Sequence, residues 1–359
     1  MSKLQTRIDT LLEVAELWLS NDNQYLMRAA GQTVEEGFFA EHDVKFALQA
    51  IKKSINRKGL EKWVKRAGLD DKNDARRKNV LCLHAGNLPL VGFQNAFAAL
   101  LSGARYTGKI SRKDPYLLPS FLNEIRKTAI WNNRNVQWSH RLADLEGMQN
   151  DAILFAGSDQ SVPGVRKAVK ELNLSSSKTR FLIRIAHFSI AYLDRRDKKT
   201  LKNLTEAIFR YGGKGCRSTA VVVSPIGLER LRNDLTIYAQ SFFQQNPQHF
   251  KPAPRLRQQF AYNKAIGRNQ IWLDNFLLQE GGLEFDQDFI CYWVKGETSA
   301  VDKIAKRHDK MLQSVYTTRP YIEIPGFDGQ IEDLADAQQP PIDWKPDGTD
   351  ILEWLIKKN

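Results

Sequence analysis

The chain has 359 residues, of which 42% are apolar and 26% charged, and its formal net charge is +12. That length suits about two domains with a proper core. No apolar run approaches the roughly 20 residues of a membrane helix, and Met1-Ser-Lys-Leu-Gln5 lacks the pattern of a secretory leader. Cys82, Cys216 and Cys291 are odd in number and widely spaced, which argues against a disulfide scaffold or a zinc site and fits a reducing cytoplasm.

In chain order, Leu4, Ile8, Leu11, Leu12, Ala15 and Leu19 recur at helical spacing, so residues 3–20 are expected to form a helix. Further helices are expected near 43–54 and 58–67, so that residues 1–78 form a helical lead-in packed on the domain after it. From Asn79 the pattern changes. Val80–Leu83 reads as a strand, 84–89 as a turn, Leu90–Leu101 as a helix and Arg105–Ile110 as a strand ending near Lys109. A helix over 119–129, a strand at 136–139 and a strand at 152–155 come next. The latter turns at Gly157-Ser158 into a helix over 161–171, and 180–185 and 189–193 read as strands around His187. This alternation predicts an α/β fold with a parallel sheet, a Rossmann-like domain over 79–210, although no G-x-G-x-x-G stretch occurs.

Tyr211-Gly-Gly-Lys-Gly-Cys216 then sets a thiol between a glycine turn and the apolar run Ala220–Val223. Such a thiol suits a nucleophile and equally suits an inert residue at a strand entry. A second, smaller α/β domain is expected over 211–320, with a helix from Leu228 to Phe243, a long loop over 244–257, a helix over 261–276, a strand over 289–294 and a helix over 301–312. Residues 321–359 read as an acidic tail that packs back or onto a neighbour. Nine acids against Lys345 between 323 and 353 give −8, which leaves about +20 on the rest. A basic surface can meet nucleic acid, but no zinc finger, helix-turn-helix or basic-aromatic motif accompanies it, so no nucleic-acid partner is expected.

Four features in this order, His84-Ala-Gly-Asn-Leu-Pro89 within Gly86–Gly92, strand-end Lys109, Phe155-Ala-Gly-Ser158 and Gly212-Gly-Lys-Gly-Cys216, resemble the acyl-CoA reductases related to the bacterial luminescence fatty-acid reductase. These are a branch of the aldehyde dehydrogenase superfamily. The resemblance is close over about 79–225 and loose beyond. It implies an aldehyde dehydrogenase-like fold with a Rossmann-like cofactor domain and a smaller α/β catalytic domain. The implied activity is NADPH- or NADH-dependent reduction of an acyl thioester to an aldehyde, with an acyl-CoA or acyl-carrier-protein substrate. A homo-oligomer is among the implied arrangements.

On that resemblance Cys216 is the acyl acceptor, with Lys214 and Arg217 beside it as cations able to favour a thiolate. Asn87 matches the residue whose amide steadies the oxyanion, although Asn before Leu-Pro also suits a helix N-cap. Lys109 would meet the adenosine ribose, and Arg112 with Lys113 would suit a 2′-phosphate or form a solvated loop. Gly157 and Ser158 could offer backbone N–H groups to a pyrophosphate, or simply cap the next helix. His187 lies in the segment that borders the thiol and is a candidate proton donor, or a core histidine. That segment carries an acid in hydrolytic aldehyde dehydrogenases, whereas none occurs here between Arg180 and Tyr192. This favours a reductase over an aldehyde-oxidising enzyme. An acyltransferase or thioesterase that forms acyl-Cys216 without hydride transfer is the alternative, as is a non-catalytic acyl-carrier-binding protein. Cys82 and Cys291 read as core.

Overall fold

The computed structural model describes residues 2–185, 187–247, 252–283, 288–319, 322–325 and 327–357. Its contacts divide into two units, residues 1–185 with 341–359 and residues 186–340. The second unit is thus continuous in sequence and the first is not.

The first unit opens with helices α1 (Lys3–Trp18), α2 (Gln24–Glu35), α3 (Glu41–Ser54) and α4 (Arg57–Ala67). Ser2, Asn23 and Asn56 begin three of them by accepting the N–H of Gln5, Leu26 and Gly59. Gly68, at φ 69°, ends α4 in the left-handed conformation that glycine adopts freely. The buried stripe of α1 includes Ile8, Leu11, Ala15 and Trp18. Trp18 stacks on Phe93 with ring centres 5.7 Å apart and donates its indole N–H to Ser120 at 2.8 Å. The lead-in is therefore part of this unit's core. Helix α2, which the periodicity does not reveal, is carried by three buried residues, Leu26, Ala29 and Thr33.

Strands and helices then alternate: β1 (Asn79–Leu83), α5 (Phe93–Leu101), β2 (Arg105–Lys109), α6 (Leu117–Arg126), β3 (Val136–Ser139), β4 (Asn150–Ala156), α7 (Val162–Glu171) and β5 (Ser175–Arg184). The five strands are parallel in the order β3-β2-β1-β4-β5. The order reverses between β1 and β4, the point where open α/β sheets leave a crevice beyond the carboxyl ends of their strands.

The second unit holds β6 (Phe188–Tyr192), α8 (Lys198–Phe209), β7 (Thr219–Ser224), α9 (Leu228–Gln245), α10 (Pro254–Ala265), β8 (Gln270–Leu273), β9 (Phe276–Glu280), β10 (Ile290–Lys295), α11 (Thr298–His308), β11 (Leu312–Thr317) and β12 (Gln330–Asp333). Its sheet runs β12-β11-β6-β7-β10-β9-β8, parallel except for the β8–β9 hairpin. β6 belongs here, paired with β7 and β11, rather than to the sheet before it. Residues 261–276, expected as one helix, instead hold the end of α10 and most of the hairpin, whose turn carries Asp274 at φ 53°. α10 starts at Pro254, inside the span expected as a loop.

The acidic segment is not a free tail. β12 is an edge strand of the second sheet, and the last helix α12 (Ile351–Ile356) packs in the first unit. Arg66 on α4 donates to the carboxylates of Asp343 at 2.7 Å and Asp350 at 2.9 Å, and Trp63 donates its indole N–H to Asp350 at 2.8 Å. Lys78 donates to the carbonyls of Leu355 and Lys357, and Arg180 to that of Trp354, so cations meet the partly negative end of α12. Among the described residues no helix is long and apolar enough to cross a membrane.

Candidate functional site

Parallel pairing sets the carboxyl ends of the first unit's strands level. Leu83 at the end of β1 registers with Lys109 at the end of β2 and with Phe155 near the end of β4. The loop after β1 is fastened to its neighbour, because His84 donates its N–H to the Lys109 carbonyl at 3.0 Å. Gly86 packs its backbone against the loop after β2, where a Cβ would lie 2.3 Å from the Ser111 hydroxyl. Leu90 adopts φ 57° and donates its N–H to Asp114 at 2.8 Å. Asn87 sits exposed on the turn so held. It does not cap the following helix, since α5 begins at Phe93 after Gly92.

Beneath the turn lies a buried polar group of two residues. His84 is buried with its Nε2 2.7 Å from the Tyr106 hydroxyl, and Gly92 comes so close that a Cβ there would stand 2.1 Å from His84 Nδ1. Burial, helped by the Lys109 cation, pulls the imidazole down to about 3, so it is neutral at physiological pH. Burial also pushes Asp114 up to about 6, against the opposing amides of Leu90 and Leu117.

Lys109 is half-buried, and its ammonium is held below its ordinary pKa first by burial and then by the Arg112 cation. Neither Lys109 nor Arg112 makes an ion pair among the described residues, so this pair of cations would gain from an anion. Arg112 and Lys113 are exposed. At the end of β4, Gly157 donates its N–H to the Arg184 carbonyl at 3.1 Å, continuing the ladder to β5, and that donor is already used. Ser158 precedes a short 3-10 turn, Asp159–Ser161, and caps no helix with its side chain. α7 starts directly after that turn with no side-chain cap, but its Val162 N–H already donates to the Asp159 carbonyl and Pro163 has no N–H, so this helix start offers few open donors.

The second unit holds Cys216 and His187, and pairing brings their positions together. β6 and β7 are parallel with Ser189 opposite Thr219, which puts both residues before the amino ends of adjacent strands. The Cys216 turn is left-handed in sequence, with Tyr211 at φ 58°, Gly212 at 68°, Gly213 at 75° and Gly215 at 93°. At Gly212 a Cβ would meet the Phe289 ring at 2.7 Å, so only glycine lets the turn lie against that ring. Cys216 is half-buried, and its carbonyl accepts the Ser189 hydroxyl at 2.8 Å. Ser218 accepts from Gln338 at 3.4 Å and donates its hydroxyl to the Lys214 carbonyl at 2.5 Å, closing the turn on itself. His187 is exposed and donates its N–H to the Met311 carbonyl at 2.8 Å.

The two cations beside the thiol differ. Lys214 lies 3.7 Å from Asp288. Arg217 is buried and turned toward the Glu332 carboxylate at 3.0 Å and the carbonyls of Asp336 and Ala337 at 2.8 and 2.7 Å. Burial alone would lower the pKa of Arg217, but its interactions with Tyr316, Glu332 and the Cys216 thiol outweigh it, and the guanidinium stays charged. Ser189, Glu332 and Gln338 escape a reading of the sequence. Ser189 carried a signal, a lone hydroxyl in an apolar strand, whereas Glu332 lies among eight other acids with nothing local to single it out. Cys82 and Cys291 are buried, and burial pushes both thiols up, Cys82 to about 12. Among the described residues no cluster of three or more His, Cys, Asp or Glu could hold a metal.

Residues 2–301 match the acyl-CoA reductase (LuxC) family. The chain belongs to the LuxC acyl-CoA reductase family. Members are oxidoreductases of the acyl and aldehyde class, and the solved structures that this chain resembles share its aldehyde dehydrogenase fold. Aldehyde dehydrogenase 21 from Physcomitrella patens, in complex with the reaction product succinate, superposes with a TM-score of 0.68 at 12% identity, over 97% of this chain and 84% of its own. The NADP-dependent glyceraldehyde-3-phosphate dehydrogenase from Bacillus halodurans C-125, complexed with NADP, gives 0.64 at 12% identity, over 99% and 85%. An aldehyde dehydrogenase from Staphylococcus aureus in its substrate-bound state gives 0.56 at 14%, over 95% and 83%. No curated protein matches the LuxC-family chain.

Proposed function

We propose that this LuxC-family chain reduces an acyl thioester, carried on coenzyme A or an acyl carrier protein, to the aldehyde through an acyl-Cys216 intermediate. The observation that carries the reading is the half-buried Cys216 on a rigid left-handed turn, in contrast to two deeply buried thiols that are kept protonated.

The Cys216 thiolate attacks the carbonyl carbon of the thioester, and the resulting oxyanion collapses with loss of the carrier thiolate, which takes up a proton. One difficult displacement becomes two easier steps. Asn87 steadies the oxyanion by donating its amide, and His187 supplies protons to the departing groups. A bound nicotinamide cofactor supplies the hydride that reduces the acyl carbon. Cys216 then leaves as thiolate and the aldehyde is freed. The absence of an acid between Arg180 and Tyr192 supports a thioester shielded from activated water.

The residues of the first unit fit a dinucleotide. Lys109 and Arg112 form a cation pair beside the strand-order reversal, suited to a ribose and a 2′-phosphate and hence to NADPH over NADH. The exposed Ser158 hydroxyl beyond the end of β4 suits a pyrophosphate. The test is intact mass after mixing with a long-chain acyl-CoA, followed by addition of NADPH. The expected result is one acyl group on the parent and none on Cys216→Ala, then aldehyde and NADPH consumption in equal amounts. An adduct that persists with no oxidation of NADPH or NADH replaces this reading with acyl transfer, and no adduct at all removes Cys216 from the chemistry.

A further inference from the structure

Arg217 follows the thiol directly, and a cation in that position invites a role as counter-ion to a thiolate. Its surroundings describe a different job. The side chain is buried and, among the described residues, its guanidinium donates to the Glu332 carboxylate and the carbonyls of Asp336 and Ala337, all within the second unit. Glu332 lies on β12 and is held in turn by the Ser314 hydroxyl of β11, and the Arg217 Cζ lies 5.5 Å from the centre of the Tyr316 ring of the same strand. On the other side, Ser189 of β6 holds the Cys216 carbonyl and Ser218 closes back on Lys214. The nucleophile's turn is thus tied by adjacent residues to three strands, β6, β11 and β12.

We propose that Arg217 is a positioning residue, a clasp through which Glu332 and the 336–337 carbonyls fix the Cys216 turn against the sheet, and not the counter-ion of the thiol. The proposal rests on the reading of Cys216 as the acyl acceptor. A planar fork with five N–H groups serves three acceptors at fixed angles, which a flexible ammonium cannot do. The Glu332 carboxylate offsets part of the field that Arg217 exerts on the nearby thiol, and the guanidinium's described hydrogen bonds go to Glu332, Asp336 and Ala337. The glycines at 212, 213 and 215 make the need plain, because a turn with so little side-chain packing must be held by its neighbours.

The two roles predict opposite signs for Glu332→Gln. If Arg217 were a counter-ion, loss of the facing carboxylate would leave its charge uncompensated and the thiolate favoured, so alkylation of Cys216 by iodoacetamide would accelerate. If it is a clasp, alkylation by so small a reagent stays within about twofold of the parent. Acylation by acyl-CoA, which needs the thiol aimed at a carbonyl held elsewhere, slows by about tenfold or more, since misplacement of about 1 Å can cost on the order of 100-fold. Cys82 and Cys291 are buried and do not confuse the labelling.

The experiment measures single-turnover acylation at saturating acyl-CoA, the acyl-CoA concentration at half-maximal rate, and iodoacetamide labelling for the parent, Arg217→Lys and Glu332→Gln, with melting temperatures for each. Arg217→Lys keeps the charge and loses the fork. It is expected to slow acylation by about 30-fold with half-saturation little changed. Parent-like acylation in a folded Arg217→Lys overturns the proposal, as does faster alkylation in Glu332→Gln. If Arg217→Lys does not fold, Glu332→Gln decides alone by those two rates. Cys216→Ala is run alongside: an acyl adduct on that variant defeats the underlying reading rather than the clasp.

Discussion

In the first sheet the candidate residues stand beyond the carboxyl ends of β1, β2 and β4, whereas in the second Cys216 and His187 stand before the amino ends of β7 and β6. At the first edge a reversal of strand order opens a crevice, and the turn beside it rests on buried His84 and Asp114 and on the left-handed Leu90. The candidate side chains there, Asn87, Lys109 and Arg112, are exposed or half-buried. At the second edge the thiol itself sits on the supported segment, a glycine-rich turn with four left-handed residues beside the buried Arg217–Glu332 pair. Function at the first edge should therefore be separable from stability. At the second the two should move together.

The largest effect expected is that of Cys216→Ala, a loss of turnover on the order of 10⁴-fold or more, as for other nucleophile deletions, measured by aldehyde formation. Asn87→Ala should lower kcat by about 10²–10³-fold with KM for acyl-CoA nearly unchanged and the melting temperature within a degree or two of the parent's. A drop in stability as large as the drop in rate would contradict the separation. Lys109→Ala should weaken NADPH by about 10–100-fold, the loss of a charge-assisted contact, and Arg112→Ala should weaken NADPH more than NADH. Equal effects of Arg112→Ala on both cofactors would show that it meets no 2′-phosphate.

Gly212→Ala brings the contrast to the other edge. A side chain at φ 68° against the Phe289 ring should cost about 1–3 kcal/mol, read from denaturant midpoints, and acylation should fall with it. If the variant is destabilised while acylation keeps its parent rate, the turn and the thiol are not coupled.

Asp114→Asn probes the buried support of the first edge, and the effect depends on pH. Asp114 titrates at about 6 in the fold, against an ordinary 3.8, so between those values the native state binds more protons than the unfolded one and this group's contribution falls as pH rises. His84, at about 3 in the fold against 6.5, runs the other way and adds stability as pH rises through that window. The two slopes oppose each other in the parent. The melting-temperature difference between Asp114→Asn and the parent should therefore grow in the variant's favour from pH 4 to pH 6 and level off above. A difference that is flat across that window would mean that the carboxyl is not held neutral by burial.

Much of the first unit could be read from its residues because βαβ alternation writes short apolar runs and helical stripes in turn. β2 and β3 fall where Arg105–Lys109 and Val136–Ser139 place them. The β8–β9 hairpin was hidden because Ile271–Leu273 and Phe276–Leu278 make one apolar stretch, and only Asp274-Asn275 marks the turn between them. β11 was hidden in the same way, behind a helix that stops at His308, four residues earlier than the apolar pattern suggests. The glycine turn before Cys216 announced itself, whereas its supports did not. Glu332 and Gln338 lie more than 100 residues from the thiol, and only pairing across the sheet gives them their meaning.

The return of residues 341–357 to the first unit bears on how the protein is made. The second unit is one uninterrupted stretch and holds all its core residues once Ala337 has left the ribosome. The first begins earlier and finishes later, since Trp63 and Arg66 wait for Asp343 and Asp350, and the Lys78 and Arg180 cations for the end of α12. Throughout synthesis of the second unit, α4 must keep its buried indole without its carboxylate acceptor.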